Sequence, residues 1–208
     1  MPVARVLLVE LCGELRKALP AGRDIDLLSE MLQTRLNLEM AVTDEMIGIA
    51  RRVRPAACCL VPEKRTEVTT EGGLDAIRLF DPLYPVVQKL GSNGSRVSLF
   101  IEPDAAALDA ACKLGAPVVE FHTGRFCELE GAERAQELKR INDAAALAAR
   151  NGIEPHAGHG LTFDNVAPIA AIPQIRELNI GHFLIGEAIF EGLAPVVKRM
   201  RELMDAAR

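Results

Sequence analysis

Short apolar runs alternate along the chain with longer amphipathic stretches. The runs have the length and composition of parallel strands that are buried on both faces. They occupy residues 6–9, 36–40, 58–61, 97–101, 118–121, 153–157 and 178–180. The pattern therefore predicts a parallel sheet with these seven runs as its strands.

The stretches between the runs have helical spacing of apolar residues and carry capping residues. Thr43 is a candidate N-cap for the helix that follows the second run. Asp104 is a candidate cap for another helix, which we expect to end near Gly115. An Ala-rich stretch, 132–150, stops just before Gly152, where a C-terminal glycine belongs.

Repeated strand and helix units indicate either an open doubly wound sheet or a closed barrel. No G-x-G-x-x-G follows the first run, so the barrel is favoured. A complete barrel has eight strands and usually about 250 residues. We therefore predict a single domain over residues 1–208 with the (β/α)8 TIM-barrel fold, incomplete at its N-terminus, and only a loop with one short helix in 75–95.

The C-terminal part predicts an anion site. Residues 186–190 read as a short helical turn before Gly192, and Pro195 begins a second helix. Barrels that bind phosphate often place a short extra helix after the last strand, with its N–H groups towards the anion. The glycines around residues 158–160 and Gly181 follow the last two runs and fit such a site, although tight turns alone would also explain them.

Composition narrows the function classes. The net charge is −5 and basic residues are scattered among acidic ones, which argues against a nucleic-acid partner. Five cysteines without a C-x-x-C pair argue against disulfides and zinc, and no H-E-x-x-H occurs, so we expect no metal. No long apolar segment is present, and we expect a cytoplasmic protein without a membrane partner.

Ionisable residues cluster where the predicted strands end, which is where barrel active sites lie. Three of the four histidines are there, and imidazole transfers protons near neutral pH. His159 lies between two glycines, which favours function, whereas His182 could equally only shape the phosphate loop. These positions, with the segment 63–70, are Glu39, Glu120, His122, His159 and His182.

The carboxylates leave alternatives open. Glu39 has apolar neighbours, so desolvation could raise its pKa and make it a base, but a buried ion pair is an equal reading. Glu120 could serve only to hold neighbouring donors. Lys64 and Arg65 read as a solvated loop more readily than as a phosphate clamp.

Longer strings resemble one family, the pyridoxine 5′-phosphate synthases, from about Asp24 to the C-terminus. They are RLNLEMAVT at 35–43, CLVPEKR at 59–65, EVTTEGGLD at 67–75, VSLFI at 97–101, EFHTG at 120–124, AGHGL at 157–161 and ELNIGH at 177–182. The resemblance implies a (β/α)8 barrel, octameric and without metal or organic cofactor. Its reaction condenses 1-deoxy-D-xylulose 5-phosphate with 3-amino-2-oxopropyl phosphate to pyridoxine 5′-phosphate, inorganic phosphate and water.

The resemblance also implies roles. Glu39 would be a general base, His159 a proton donor and Glu120 a group that stabilises a transition state. Thr69 would contact the deoxyxylulose phosphate. The groups that would hold the amino-oxopropyl phosphate are Gly160, Gly181 and His182.

The N-terminal part departs from the family. The family's Asn-x-Asp-His and His-Leu-Arg-Glu-Asp segments do not occur, and 76–85 also differs. We expect the biological protein to be the synthase and the present sequence to be incomplete near its N-terminus. The alternatives are a catalytically silent barrel that binds a phosphate compound or acts as an assembly partner, and another phosphate-handling barrel enzyme.

An incomplete barrel exposes strand edges, so a homo-oligomer is expected.

Overall fold

The computed structural model describes residues 21–62 and 72–208. In these residues six parallel strands form one sheet, in which each strand pairs with the one before it in the chain. The strands are β1 (Asn37–Ala41), β2 (Ala57–Val61), β3 (Arg96–Ile101), β4 (Val118–His122), β5 (Glu154–Gly158) and β6 (Leu178–Asn179). Six of the predicted runs are therefore confirmed as strands, and the first run, 6–9, lies outside the described residues.

Helices connect the strands. They are α1 (Ala21–Met31), α2 (Asp44–Val53), α3 (Phe80–Ser92), α4 (Ala105–Leu114), α5 (Gly124–Glu128), α6 (Gly131–Arg150), α7 (Val166–Ala170), α8 (His182–Glu191) and α9 (Leu193–Ala206). Parallel neighbours joined by helical crossovers of one hand carry all their helices on the same side of the sheet. The strand order is that of a barrel, and the described part forms an incomplete (β/α) barrel with β1 and β6 at its edges.

The two faces of the sheet differ sharply in chemistry. One face carries Leu38, Leu60, Leu99 and Phe121, which are fully buried in the hydrophobic core against the helices. Because side chains alternate along a strand, the residues between them point to the opposite face. That face, called here the inner face, carries Glu39, Cys59, Ser98, Glu120, His122 and His156. The apolar runs thus contain a polar stripe.

Two predicted helix caps are confirmed. The Thr43 hydroxyl accepts a hydrogen bond from the Met46 N–H at 3.3 Å. The Asp104 carboxylate accepts one from the Ala107 N–H at 2.8 Å, and α4 ends at Gly115 in a left-handed conformation. Each cap satisfies an N–H that the first helical turn leaves without an internal partner.

Two helices are longer than predicted. The segment 75–95 contains α3, a helix of 13 residues, instead of a short one. Pro82 lies in its first turn, where no N–H is needed, and burial of Leu83, Val87 and Leu90 stabilises the remainder despite Pro85. The extra helix α8 begins at His182, before the predicted 186–190. None of the described helices is long and apolar enough to cross a membrane.

Candidate active site

A buried carboxyl group lies at the centre of the inner face. Glu120 is the middle residue of β4 and is 3% exposed. Its Oε2 accepts a hydrogen bond from the Asn179 amide of β6, and the Cys59 thiol of β2 donates to the same oxygen at 3.5 Å. Glu120 therefore lies two residues before the strand end where the sequence analysis placed it, inside the sheet and away from its rim.

Burial and charge control the protonation of Glu120. Burial, and next the negative charge of Glu39, raise its pKa to about 8, although the hydrogen bonds from Asn179 and Cys59 act in the opposite direction. The same burial and the carboxylates of Glu120 and Glu39 raise the pKa of the Cys59 thiol. Near neutral pH Glu120 thus holds its proton, which is the state in which a carboxylic acid donates a hydrogen bond.

A glycine makes room for this carboxyl group. Gly158 is the last residue of β5, and a Cβ there would collide with Glu120 Oε1 and come within 2.8 Å of the Asn179 carbonyl oxygen. Its missing side chain lets the strands β4, β5 and β6 approach around Glu120. Within the string AGHGL, Gly158 therefore allows the close packing of the strands around Glu120, in addition to any chemistry at His159.

Glu39 lies on the same face as Glu120. It is the middle residue of β1, half-buried, and paired in register with Cys59 of β2. Cys59 in turn contacts Glu120, so the thiol stands between the two carboxylates. Glu39 and Glu120 were both predicted as site residues, and the fold brings them to one surface.

Two histidines meet at the carboxyl end of the strands. His122 ends β4 and is buried, and its Nδ1 lies 2.9 Å from Glu102 Oε1. His159 follows β5 directly, is exposed, and has a left-handed backbone with φ of 80°. The Thr123 hydroxyl donates to the His159 carbonyl oxygen at 2.6 Å. The two imidazole rings are 5.0 Å apart between centroids.

The predicted phosphate-binding residues lie on two loops that follow β5 and β6. Gly160 has a left-handed backbone with φ of 76°, and a Cβ there would be 3.1 Å from the Cys127 side chain. Gly181 precedes α8, and exposed His182 is the first residue of that helix. Thr69, Lys64 and Arg65 lie outside the described residues, so their predicted roles stay predictions.

Sequence reasoning missed four polar residues of this site. Glu102 immediately follows β3, and the strand-end rule that selected His159 could have found it. Cys59 and Asn179 lie within the family-like strings CLVPEKR and ELNIGH, but nothing in the sequence marked them individually as site residues. Arg140 lies in α6, far along the chain from the residues that it contacts. Among residues 21–62 and 72–208, His, Cys, Asp and Glu form no group of three or more suited to a metal ion.

Parallel strands paired in sequence order, with ionisable groups on the face opposite the helices and at the carboxyl ends of the strands, are the arrangement of (β/α)-barrel enzymes. The family model described as "Pyridoxal phosphate biosynthesis protein PdxJ" matches residues 17–206. The chain belongs to this family.

Curated relatives agree with the family match. The chain is 60% identical over 185 residues to a pyridoxine 5′-phosphate synthase of Zymomonas mobilis, covering 89% of the chain and 72% of the relative. It is 58% identical over 192 residues to one from a Caulobacter species, covering 89% and 76%. A third, from Rhodospirillum rubrum, is 58% identical over 186 residues, covering 89% and 75%.

A solved structure with almost no sequence similarity has the same fold. The crystal structure of KGPDC from Streptococcus mutans aligns with a TM-score of 0.63 at 8% identity, covering 92% of this chain and 82% of that one. At such low identity the likeness concerns the fold alone, and it agrees with the predicted barrel.

Proposed function

We propose that the chain is a pyridoxine 5′-phosphate synthase. It condenses 1-deoxy-D-xylulose 5-phosphate with 3-amino-2-oxopropyl phosphate and releases inorganic phosphate and water. The observation that supports this most is the convergence of Glu39, Glu120 and the histidine pair on one face, in a chain of the PdxJ family. Ring formation with loss of water needs several proton transfers, and these groups can accept and donate protons.

The carboxylates have complementary roles in this proposal. Glu120 keeps its proton because burial and the charge of Glu39 raise its pKa to about 8. It can then stabilise negative charge that develops on a substrate oxygen, whereas Glu39 removes protons as the general base. Two nearby carboxyl groups in different environments commonly divide the acid and base roles in this way.

His159 supplies the proton donor. Its ring is exposed at the strand ends, where substrate can reach it, and its backbone is held by Thr123. The left-handed conformation at φ of 80° places the residue in a sharp turn between Gly158 and Gly160. A backbone fixed in this way gives the imidazole a defined starting direction towards the inner face.

The phosphate groups bind on the loops that follow the strands. Gly160, Gly181 and His182 hold the amino-oxopropyl phosphate, assisted by the N-terminal N–H groups of α8, which attract an anion. Thr69 contacts the deoxyxylulose phosphate. The proposal needs neither a metal nor an organic cofactor.

The protein acts in the cytoplasm as a homo-oligomer, an octamer by family resemblance. The exposed apolar side chains of Ile189 and Phe190 on α8 form a surface that a neighbouring copy would cover. Light scattering at micromolar concentration tests this part, and a stable monomer would contradict it.

Phosphate release from the two substrates tests the reaction. We expect the wild-type chain to release phosphate and the Glu39→Gln variant to lose release, since an amide cannot act as a base. Glu202→Gln, a change at an exposed carboxylate of α9, is the matched control and should keep wild-type activity. A folded wild-type chain that releases no phosphate would overturn the proposal.

A further inference from the structure

Glu102 connects three parts of the strand-end region. It directly follows β3, and its Oε1 accepts hydrogen bonds from the Gly73 N–H at 3.1 Å and from His122 Nδ1 at 2.9 Å. Its Oε2 accepts one from the Arg140 guanidinium at 3.0 Å. Both oxygens are therefore occupied, and the carboxylate has little rotational freedom.

The charge of Glu102 determines which nitrogen of His122 carries hydrogen. Burial raises the pKa of Glu102, but the hydrogen bonds from His122, Arg140 and Gly73 outweigh it and lower the pKa to about 2. An ionised carboxylate can only accept hydrogen bonds, so Nδ1 of His122 must donate. In the neutral ring Nε2 is then the acceptor, and it points away from Glu102.

The other end of the His122 ring lies against His159. A Cβ placed on Gly124 would be 2.5 Å from His122 Nε2 and 3.1 Å from His159 Cδ2, so both rings approach the same bare Cα. The Phe100 ring packs on both, with centroid distances of 5.2 Å to His122 and 6.3 Å to His159. His159 is exposed, whereas His122 is buried. The His122 ring therefore packs against one side of the His159 ring, and the other side faces solvent.

We propose that Glu102 and His122 are positioning residues that hold the His159 imidazole for proton transfer. The inference deepens the proposed function and rests on it for the role of His159. Glu102 fixes the tautomer and the ring plane of His122, and His122 together with Phe100 limits the directions open to His159. Carboxylates that orient a functional histidine act by this means in many sites.

The chain contains a matched control. Arg96, Glu154 and His156 form a second arginine, glutamate and histidine group, in which Glu154 Oε1 lies 2.9 Å from Arg96 Nη1 and 2.8 Å from His156 Nε2. The glutamates of the two groups are equally exposed, at 34%, and both histidines are buried. Glu154 begins β5, roughly 13 Å along the strand from Gly158 at the usual rise per residue.

Glu102→Gln and Glu154→Gln remove the same charge from the two groups. We expect Glu102→Gln to lower kcat by about 10- to 100-fold, as losses of orienting partners commonly do. KM for both substrates should stay within about twofold, because no substrate contact is removed. Glu154→Gln should lose a similar amount of thermal stability and keep kcat within about twofold of wild type.

His122→Asn provides a second variant. Its amide keeps a donor close to the position of Nδ1 for Glu102 but lacks the part of the ring that reaches His159. We expect the same fall in kcat as in Glu102→Gln. Equal kcat losses in Glu102→Gln and Glu154→Gln, or a rise in KM without a change in kcat, would overturn the positioning role.

Nitrogen-15 spectra of the histidine rings separate this inference from the reaction. In the full chain, Glu102→Gln should change the ring signals of His122 and His159, whereas Glu154→Gln should leave those of His159 unchanged. If the wild type has turnover and Glu102→Gln matches it, only the positioning role fails. If the wild type has none, the proposed reaction fails, and unchanged His159 signals in Glu102→Gln would overturn the positioning as well.

Discussion

The two faces of the sheet are built from alternating residues of the same strands, yet they have opposite tasks. Leu60 of β2 is fully buried among the helices, whereas Cys59 beside it contacts the Glu120 carboxyl on the inner face. Phe121 and Glu120 are related in the same way on β4. Apolar burial stabilises the helix-covered face, while the inner face buries groups that cost stability and can perform chemistry.

The largest expected effect on stability comes from breaking the helix-covered face. Phe121→Ala removes a fully buried ring, and we expect the free energy of unfolding to fall by about 3–5 kcal/mol. Urea unfolding followed by circular dichroism measures the loss. Met31→Ala is the control, because that side chain is 76% exposed, and a change within about 0.5 kcal/mol is expected. Equal effects of the two changes would contradict the assignment of the core.

The buried carboxyl group of the inner face should make the free energy of unfolding depend on pH. The pKa of Glu120 is raised from 4.5 to about 8 in the folded chain. Between these values the folded state binds one proton more at Glu120 than the unfolded state does, so the contribution of Glu120 to stability is fully present below pH 4.5 and is lost as the pH rises towards 8. The contribution of Glu120 falls by at most about 1.4 kcal/mol per pH unit.

Glu120→Gln should remove this dependence. Unfolding curves at pH values between 5 and 8 should show a smaller decline for the variant than for the wild type, because the amide does not titrate. The same variant should lose phosphate release. Glu120 would then affect both the pH dependence of stability and the reaction. Parallel pH profiles of wild type and variant would contradict the raised pKa.

A smaller effect is expected at a helix cap on the covered side. Asp104→Ala removes the hydrogen bond to the Ala107 N–H and should lower the free energy of unfolding by about 1 kcal/mol. Asp109→Ala, in an exposed ion pair with Lys113 on the same helix, should cost only about 0–1 kcal/mol and is the control. Phosphate release should be unchanged in both, and a loss of release on removing the cap would contradict the division between the faces.

Predictions from sequence succeeded where the signal was local. The strands β1 to β6 were recognisable as short apolar runs, and the caps Thr43 and Asp104 lie beside the helices that they begin. Glu39, Glu120 and His159 were selected by their place on strands. The length of α3 was underestimated because Pro82 and Pro85 favour a loop when the burial of Leu83 and Val87 is unknown.

By itself, the sequence determined the order of strands and helices, the residues with candidate chemistry and, through its long matching strings, the family. Only the tertiary structure decided which groups meet: Glu120 with Asn179 and Cys59, and Glu102 with His122 and Arg140. These partners come from separate strands and helices, and the protonation of Glu120 depends on the burial they create. Strand and helix propensities act between near neighbours in the chain, whereas desolvation and charge act through space between residues that only folding brings together.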